Sequence, residues 1–228
     1  KCKVIFLSSM RRDAKNNQNV FVNNIKMIAN FINSMNTKNI EQFIFFSSPC
    51  IYGRPPRDKI INESSICFPN EYYGLSKFMC EKFLINSLPK KKLTILRIPG
   101  VYDDMPNENS IIGKFILNTL KNKKITIFNK GRYKRDYLHV DDLMNIIDKI
   151  IVNKIFIHLN VVSGKSIKIS NIINIISKYY KKNIKVQFKE DKKDKFNLIF
   201  DNSLLLGMFP NFKFKDPKKI IKKIFNDR

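Results

Sequence analysis

The chain has 228 residues, 43% of them hydrophobic, which is enough for one good core with a small second lobe. No apolar run approaches the ~20 residues of a membrane span, and the opening KCKVIFL is too short for a signal peptide, so a cytoplasmic protein without a membrane partner is expected. Two histidines and four cysteines with no Cys-x-x-Cys pair point to reduced thiols and no metal site, while the +24 charge is dispersed on lysines among Asn, Ile and Phe and so argues against nucleic acid as a partner.

The first predicted element is a buried strand over Lys3–Leu7, ending in Ser8-Ser9. A long helix follows over Asn16–Met35, its inner side marked by Val20, Phe21, Ile25, Ile28, Phe31 and Ile32. Phe43–Phe46 is a second apolar strand and stops at Ser47-Ser48, where two hydroxyls are presented. After a polar loop, EYYGLSKFMCEKFL reads as a helix, with Leu75, Phe78, Met79, Phe83 and Leu84 at helical spacing. On it Tyr73 and Lys77 stand four apart and share one face. A tyrosine with its ordinary pKa of about 10 is a poor base at neutral pH, and a neighbouring ammonium favours the phenolate. Leu93–Ile98 is the next strand, broken by Pro99-Gly100. Strand–helix–strand alternation with apolar strands predicts an α/β fold, a doubly wound parallel sheet between helices.

From about Asp104 the character changes. Ser110 is set to cap a helix over IIGKFILNTLKN, followed by a short strand ITIFN. KRDYLHVDDL reads as a strand running into a helix whose first turn holds Asp141 and Asp142, where acids suit the helix dipole. Ile155–Val161 is a further strand, and GKSIKISNIINIISKYY a loop and helix. Near the end, Asp216 and Pro217 form an N-cap and first position of a last helix.

SSPCIYG, YGLSK, LTILRIPGVYD and KRDYLHVDDL, in that order, resemble the extended short-chain dehydrogenase/reductase family, in particular its NAD-dependent nucleotide-sugar epimerases and dehydratases. The resemblance runs from about Val4 to the C-terminus. It implies a Rossmann-like domain over 1–103 and a mainly substrate-binding lobe over 104–228, with 136–161 returning to the Rossmann sheet. It implies that Tyr73 removes a sugar hydroxyl proton, that Lys77 holds the cofactor ribose and lowers the tyrosine pKa, and that Ser48 hydrogen-bonds the reacting oxygen. Ser8, Asn24, Ser47 and Pro99 would join Tyr73 and Lys77 beside the cofactor. Gly100 and Arg135 would join Ser48 on the substrate, Arg135 gripping the diphosphate of a nucleotide-diphosphate sugar with its planar guanidinium. Family members carry Asn where Gly100 stands and Gly where Asp103 stands, and only Lys192 or Lys193 is offered in place of a second phosphate-binding arginine. A homodimer through the helices over Asn16–Met35 and Tyr72–Leu88 is the family's arrangement.

The family also begins with a Gly-x-x-Gly-x-x-Gly turn that receives the dinucleotide pyrophosphate. Here the seven glycines, at 53, 74, 100, 113, 131, 164 and 207, stand too far apart for it. Lys3–Leu7 matches the family's fourth strand, so an N-terminally incomplete member is expected, using NAD, with NADP left open. An epimerase is the leading reading. A nucleotide-sugar ketoreductase or dehydratase of the same family is the alternative, and a non-catalytic remnant or scaffold the second. Dehydratases carry Asp-Glu where Pro49-Cys50 stands. Cys50 matches a catalytic cysteine of the fucose-forming epimerase-reductases, but their partner histidine is missing after GVYD, so packing is expected of it.

Overall fold

The computed structural model describes residues 1–10, 16–180, 183–191 and 195–227. By contacts the chain divides into two units: Lys1–Asp58, Asn62–Ile98 and Ile146–Val161 form the first, and Lys59–Ile61, Pro99–Asn145 and Val162–Arg228 the second.

The first unit is built on β2 (Ile40–Ser47), which lies inside a four-stranded sheet of order β1-β2-β3-β8, with β1 Cys2–Phe6, β3 Leu93–Arg97 and β8 His158–Asn160. All three pairings are parallel. Ile, Phe and Leu on successive positions of β2 and β3 are buried on both faces, as strands between helix layers require. Among the described residues β1 pairs with β2 alone, and its Ile5 is 39% exposed.

Helices α1 (Gln18–Ser34) and α2 (Tyr72–Ser87) pack on this sheet. Asn17 caps α1 by accepting the Val20 N–H. Ile28 and Ile32 of α1 and Cys80 and Leu84 of α2 meet Phe6, Phe43, Phe45 and Ile95 of the strands in one cluster. Each fully buried Phe, Ile or Leu there is worth about 1.5–3 kcal/mol of apolar transfer. The inner face of α2 differs from the apolar stripe expected of it. It buries Gly74, Ser76, Lys77, Cys80 and Glu81 with Leu84, while Met79 is 45% exposed. The stripe is polar because it meets the ends of the strands, where backbone and hydroxyl groups need partners.

The second unit joins short strand pairs: β4 (Gly100–Tyr102) with β7 (Tyr137–His139), β5 (Ile125–Phe128) with β10 (Val186–Lys189), and β6 (Lys134–Arg135) with β9 (Ile167–Lys168). Only the last is antiparallel. The helices α3 (Ile111–Leu120), α5 (Ile169–Tyr180) and α7 (Pro217–Asn226) supply Ile112, Ile116, Ile172, Ile176 and Ile221 to its core. Ser110 accepts from Gly113 N and Asp216 from Lys218 N, so both expected caps form, with Pro217 at the first helical position. A short helix α6 (Ser203–Met208) precedes α7, and α4 (Val140–Val152) carries Asp141 and Asp142 in its first turn.

Two strands differ from expectation. KRDYLHV is broken at Asp136, whose buried carboxylate accepts from Ser163 N at 3.0 Å and Ser163 Oγ at 3.1 Å instead of letting the strand run on. The strand expected over Ile155–Val161 pairs only over His158–Asn160, opposite Ile95–Arg97.

Candidate active site

The first unit gathers its polar chemistry at the ends of β2 and β3. Ser48 follows β2 and caps a 3-10 turn over Pro49–Tyr52, its Oγ accepting from Cys50 N at 3.3 Å. That bond fixes the hydroxyl oxygen and leaves its proton to donate elsewhere. Helix α2 runs close past this turn. A Cβ on Gly74 would lie 2.5 Å from the Cys50 carbonyl oxygen, so only glycine permits the approach that brings Tyr73 and Lys77 to the strand ends.

Lys77 is 3% exposed and donates from Nζ to the carbonyl oxygen of Phe46 at 2.7 Å. Its Nζ lies 4.9 Å from the centre of the Phe45 ring and 6.0 Å from that of Tyr73. Burial pulls the Lys77 pKa down to about 8, with Cys80, Glu81 and Cys50 opposing. The sequence-predicted pair is thus brought together on one turn, beside the strand end that carries Ser47 and Ser48.

The remaining residues expected at the cofactor fall as follows. Ser8 is exposed, beyond the end of β1. Asn24, on α1, is 3% exposed and clasps the Met10 peptide, accepting from Met10 N at 2.6 Å and donating to Met10 O at 3.2 Å. Ser47 donates its hydroxyl to Glu81 Oε1, inside the protein. Pro99 and Gly100 belong to the second unit, Gly100 opposite Tyr137 in the β4–β7 pair.

Glu81 belongs to a buried network that the motifs did not reveal. Arg97, the last residue of β3, donates to it from Nε at 3.2 Å and Nη2 at 2.9 Å. Arg97 Nη1 donates to Tyr52 OH at 2.7 Å, and Tyr52 OH donates to Asn160 Oδ1 at 2.8 Å. Burial alone would lower the Arg97 pKa, but the Glu81 hydrogen bonds and charge outweigh it and hold it above the usual range. Burial also pushes the Tyr52 hydroxyl up to about 12 against the pull of Arg97. Two signals were present in the sequence: an acid four residues after Lys77, and one arginine closing the otherwise uncharged strand LTILR.

In the second unit Arg135 lines a cleft of ≈ 440 Å³ with Lys114, Lys124, Lys189, Phe128 and Tyr133, and among the described residues no carboxylate lines it. Arg135 Nη1 donates to the carbonyls of Phe196 at 2.6 Å and Lys134 at 2.8 Å, and its guanidinium lies 4.9 Å from the Phe196 ring centre. These contacts orient the fork from behind. Such a cleft suits a polyanion with a flat ring, the cations taking phosphate and the aromatics the ring. Lys192 and Lys193 lie outside the described residues.

A parallel α/β sheet with a Tyr–Lys pair beside its strand ends is an arrangement suited to proton transfer next to a bound nucleotide. Residues 3–161 match the model of the NAD dependent epimerase/dehydratase family, and the chain belongs to that family. A relative from Methanocaldococcus jannaschii, named as a putative UDP-glucose 4-epimerase, is 30% identical over 161 residues, 67% of this chain and 52% of its own length. The chain therefore spans about half the length of this curated relative. Among solved structures, UDP-glucuronic acid 4-epimerase from Bacillus cereus, in complex with UDP-glucuronic acid and NAD, has a TM-score of 0.83 at 20% identity, covering 98% of this chain and 74% of its own. UDP-N-acetylglucosamine 4-epimerase from Methanobrevibacter ruminantium M1, in complex with UDP-N-acetylmuramic acid, has a TM-score of 0.84 at 23% identity, covering 99% and 76%. At these identities the likeness is one of fold, a Rossmann-like α/β arrangement. Among the described residues, no helix is long and apolar enough to cross a membrane.

Proposed function

We propose that this chain carries the catalytic residues of an NAD-dependent nucleotide-sugar epimerase acting on a UDP-hexose. The observation that carries this is Lys77, one turn from Tyr73 and pinned to the strand end that precedes Ser48. The UDP-sugar epimerases that this chain resembles support a UDP-sugar as the substrate class.

The donor set fits one end of the cofactor. An ammonium at Lys77 and hydroxyls at Ser8 and Tyr73 suit the ribose of a nicotinamide nucleotide. Bound there, NAD supplies a reversible hydride acceptor. Tyr73 takes the proton of the sugar hydroxyl and returns it. Ser48 donates to that same oxygen and keeps it aligned. Lys77 retains most of its charge at pH 7 and favours the tyrosine's phenolate. Arg135, with Lys114 and Lys189 of its cleft, holds the diphosphate. The Pro49-Cys50 pair after Ser48 supplies no acid–base couple, which favours epimerisation over dehydration.

We further read the chain as a cytoplasmic homodimer through α1 and α2. On these helices Phe21 and Tyr72 meet at 6.5 Å, and Tyr72 and Met79 are 44% and 45% exposed. Sedimentation of Met79→Glu beside the parent chain checks the dimer, and an unchanged sedimentation coefficient removes this face.

The activity test uses the full-length protein with NAD and UDP-glucose, following UDP-galactose. Tyr73→Phe and Ser48→Ala should each lower kcat by about 10²–10⁴-fold. Absence of turnover by the parent protein on UDP-hexoses sinks the epimerase reading and favours the non-catalytic one.

A further inference from the structure

Helix α2 begins without a cap of its own. Its N-cap residue, Glu71, makes no side-chain cap bond, although the first turn of any helix leaves N–H groups in need of acceptors. One acceptor comes from elsewhere: Asn16 Oδ1 accepts from Tyr73 N at 2.9 Å, across 57 residues of sequence. Asn16 lies just before α1, so the cap ties the first turn of one helix to the start of the other.

The other side of the Tyr73 residue is held from α1 as well. Ser76, 0% exposed, donates to Tyr73 O at 2.8 Å, and Asn24 Nδ2 donates to Ser76 Oγ at 3.0 Å. Both main-chain groups of Tyr73 are therefore bonded into a frame anchored on α1, while its side chain is 6.0 Å from the buried Lys77 ammonium. A local cap such as Ser or Asp at position 71 would satisfy the same N–H and let the turn drift with its own helix. A remote cap fixes that turn in space.

We propose that Asn16 is a positioning residue for the reaction: its side chain, with the Asn24–Ser76 pair, sets the main chain of Tyr73 and so aims the phenol. This rests on the proposed epimerase reading. A reacting group displaced by about 1 Å loses on the order of 10²-fold in rate, so an anchor of this kind shows in kcat rather than in substrate binding.

The test compares the full-length holoenzyme with Asn16→Ala, Asn16→Asp and Ser76→Ala, using NAD and UDP-glucose. Asn16→Ala should lower kcat about tenfold or more with KM unchanged, and speed amide exchange at Tyr73 without affecting the last turns of α2. Asn16→Asp restores an acceptor and should recover most of kcat. Its carboxylate beside the helix start also opposes the Tyr73 phenolate, so the acidic limb of the kcat profile should move to higher pH. Equal losses in both Asn16 variants with an unmoved pH profile, or an Asn16→Ala enzyme as fast as the parent, overturn the proposal while leaving the epimerase reading standing. A parent enzyme with no turnover, matched by Tyr73→Phe, overturns both. If Asn16→Ala does not fold, Ser76→Ala decides, because it lowers kcat with KM unchanged only if this frame aims Tyr73.

Discussion

Lys77 Nζ donates to the carbonyl oxygen of Phe46 at 2.7 Å, so an ammonium from the middle of a helix is anchored on the strand that carries Ser47 and Ser48. The geometry makes a buried charge part of the fold, and it leaves a trace in the pH dependence of stability. The ordinary lysine value of 10.5 falls to about 8 in the folded chain, with burial as the main cause. Between these two values the unfolded chain binds more protons than the folded one, so stability rises with pH across that window. The difference corresponds to about 3 kcal/mol, fully present as a penalty below pH 8 and gone above pH 10.5. We expect the stability of the parent chain minus that of Lys77→Met, from urea unfolding, to rise by that order between pH 8 and 10.5. A difference that stays flat or falls would show that Lys77 is not buried as a charge.

The Glu81–Arg97 pair, 2% and 6% exposed, should respond very differently to single and double replacement. Removing one partner leaves the other charge buried and unpaired, at a cost of about 3–5 kcal/mol. Glu81→Leu and Arg97→Met should each destabilise by that order, and the two together by less than their sum. Ser47→Ala removes one neutral donor to Glu81 and should cost about 1–3 kcal/mol. Chemical denaturation of all four variants gives the coupling directly. Strict additivity would mean the pair is not a unit.

Gly74→Ala inverts the usual rule for a helix interior. Replacing glycine by alanine there normally stabilises by about 1 kcal/mol. Here the new Cβ would meet Cys50 O at 2.5 Å and Cys50 C at 3.1 Å. We expect Gly74→Ala to be destabilised, with loss of activity in the full-length protein as Tyr73 is pushed from the Ser48 turn. A variant more stable than its parent by thermal melting would mean that the close approach of α2 to the turn is wrong.

Arg135→Lys keeps a positive charge and loses the fork. The guanidinium already spends one nitrogen on Phe196 O and Lys134 O, which a lysine cannot reproduce while also reaching a diphosphate. We expect UDP to bind the variant about tenfold more weakly by calorimetry, near 1.4 kcal/mol. Unchanged affinity would remove Arg135 from the diphosphate site and leave it as a brace for β6.

Much of this was legible along the chain. The apolar runs of β2 and β3 and the caps at Ser110 and Asp216 are local, because they depend on side-chain periodicity and on bonds spanning two or three residues. The Tyr73–Lys77 spacing is likewise a property of any helix. The inner face of α2 was not legible: Ser76, Lys77, Cys80 and Glu81 look like a solvated stripe until the strand ends that receive them are in place. Asp136 looked like one more strand residue, since its partner Ser163 lies in a different part of the sequence.

The sequence by itself determined the parallel α/β class, the order of its elements and the Tyr–Lys pair, because each rests on short-range periodicity and sterics. Only the tertiary structure decided what those residues touch. It turned Ser47 to Glu81 and Asn24 to Met10 and Ser76, and it brought Arg97 to Glu81 and Asn16 to Tyr73. These are bonds between groups far apart in the chain, and their strength comes from burial that exists only once the layers have packed.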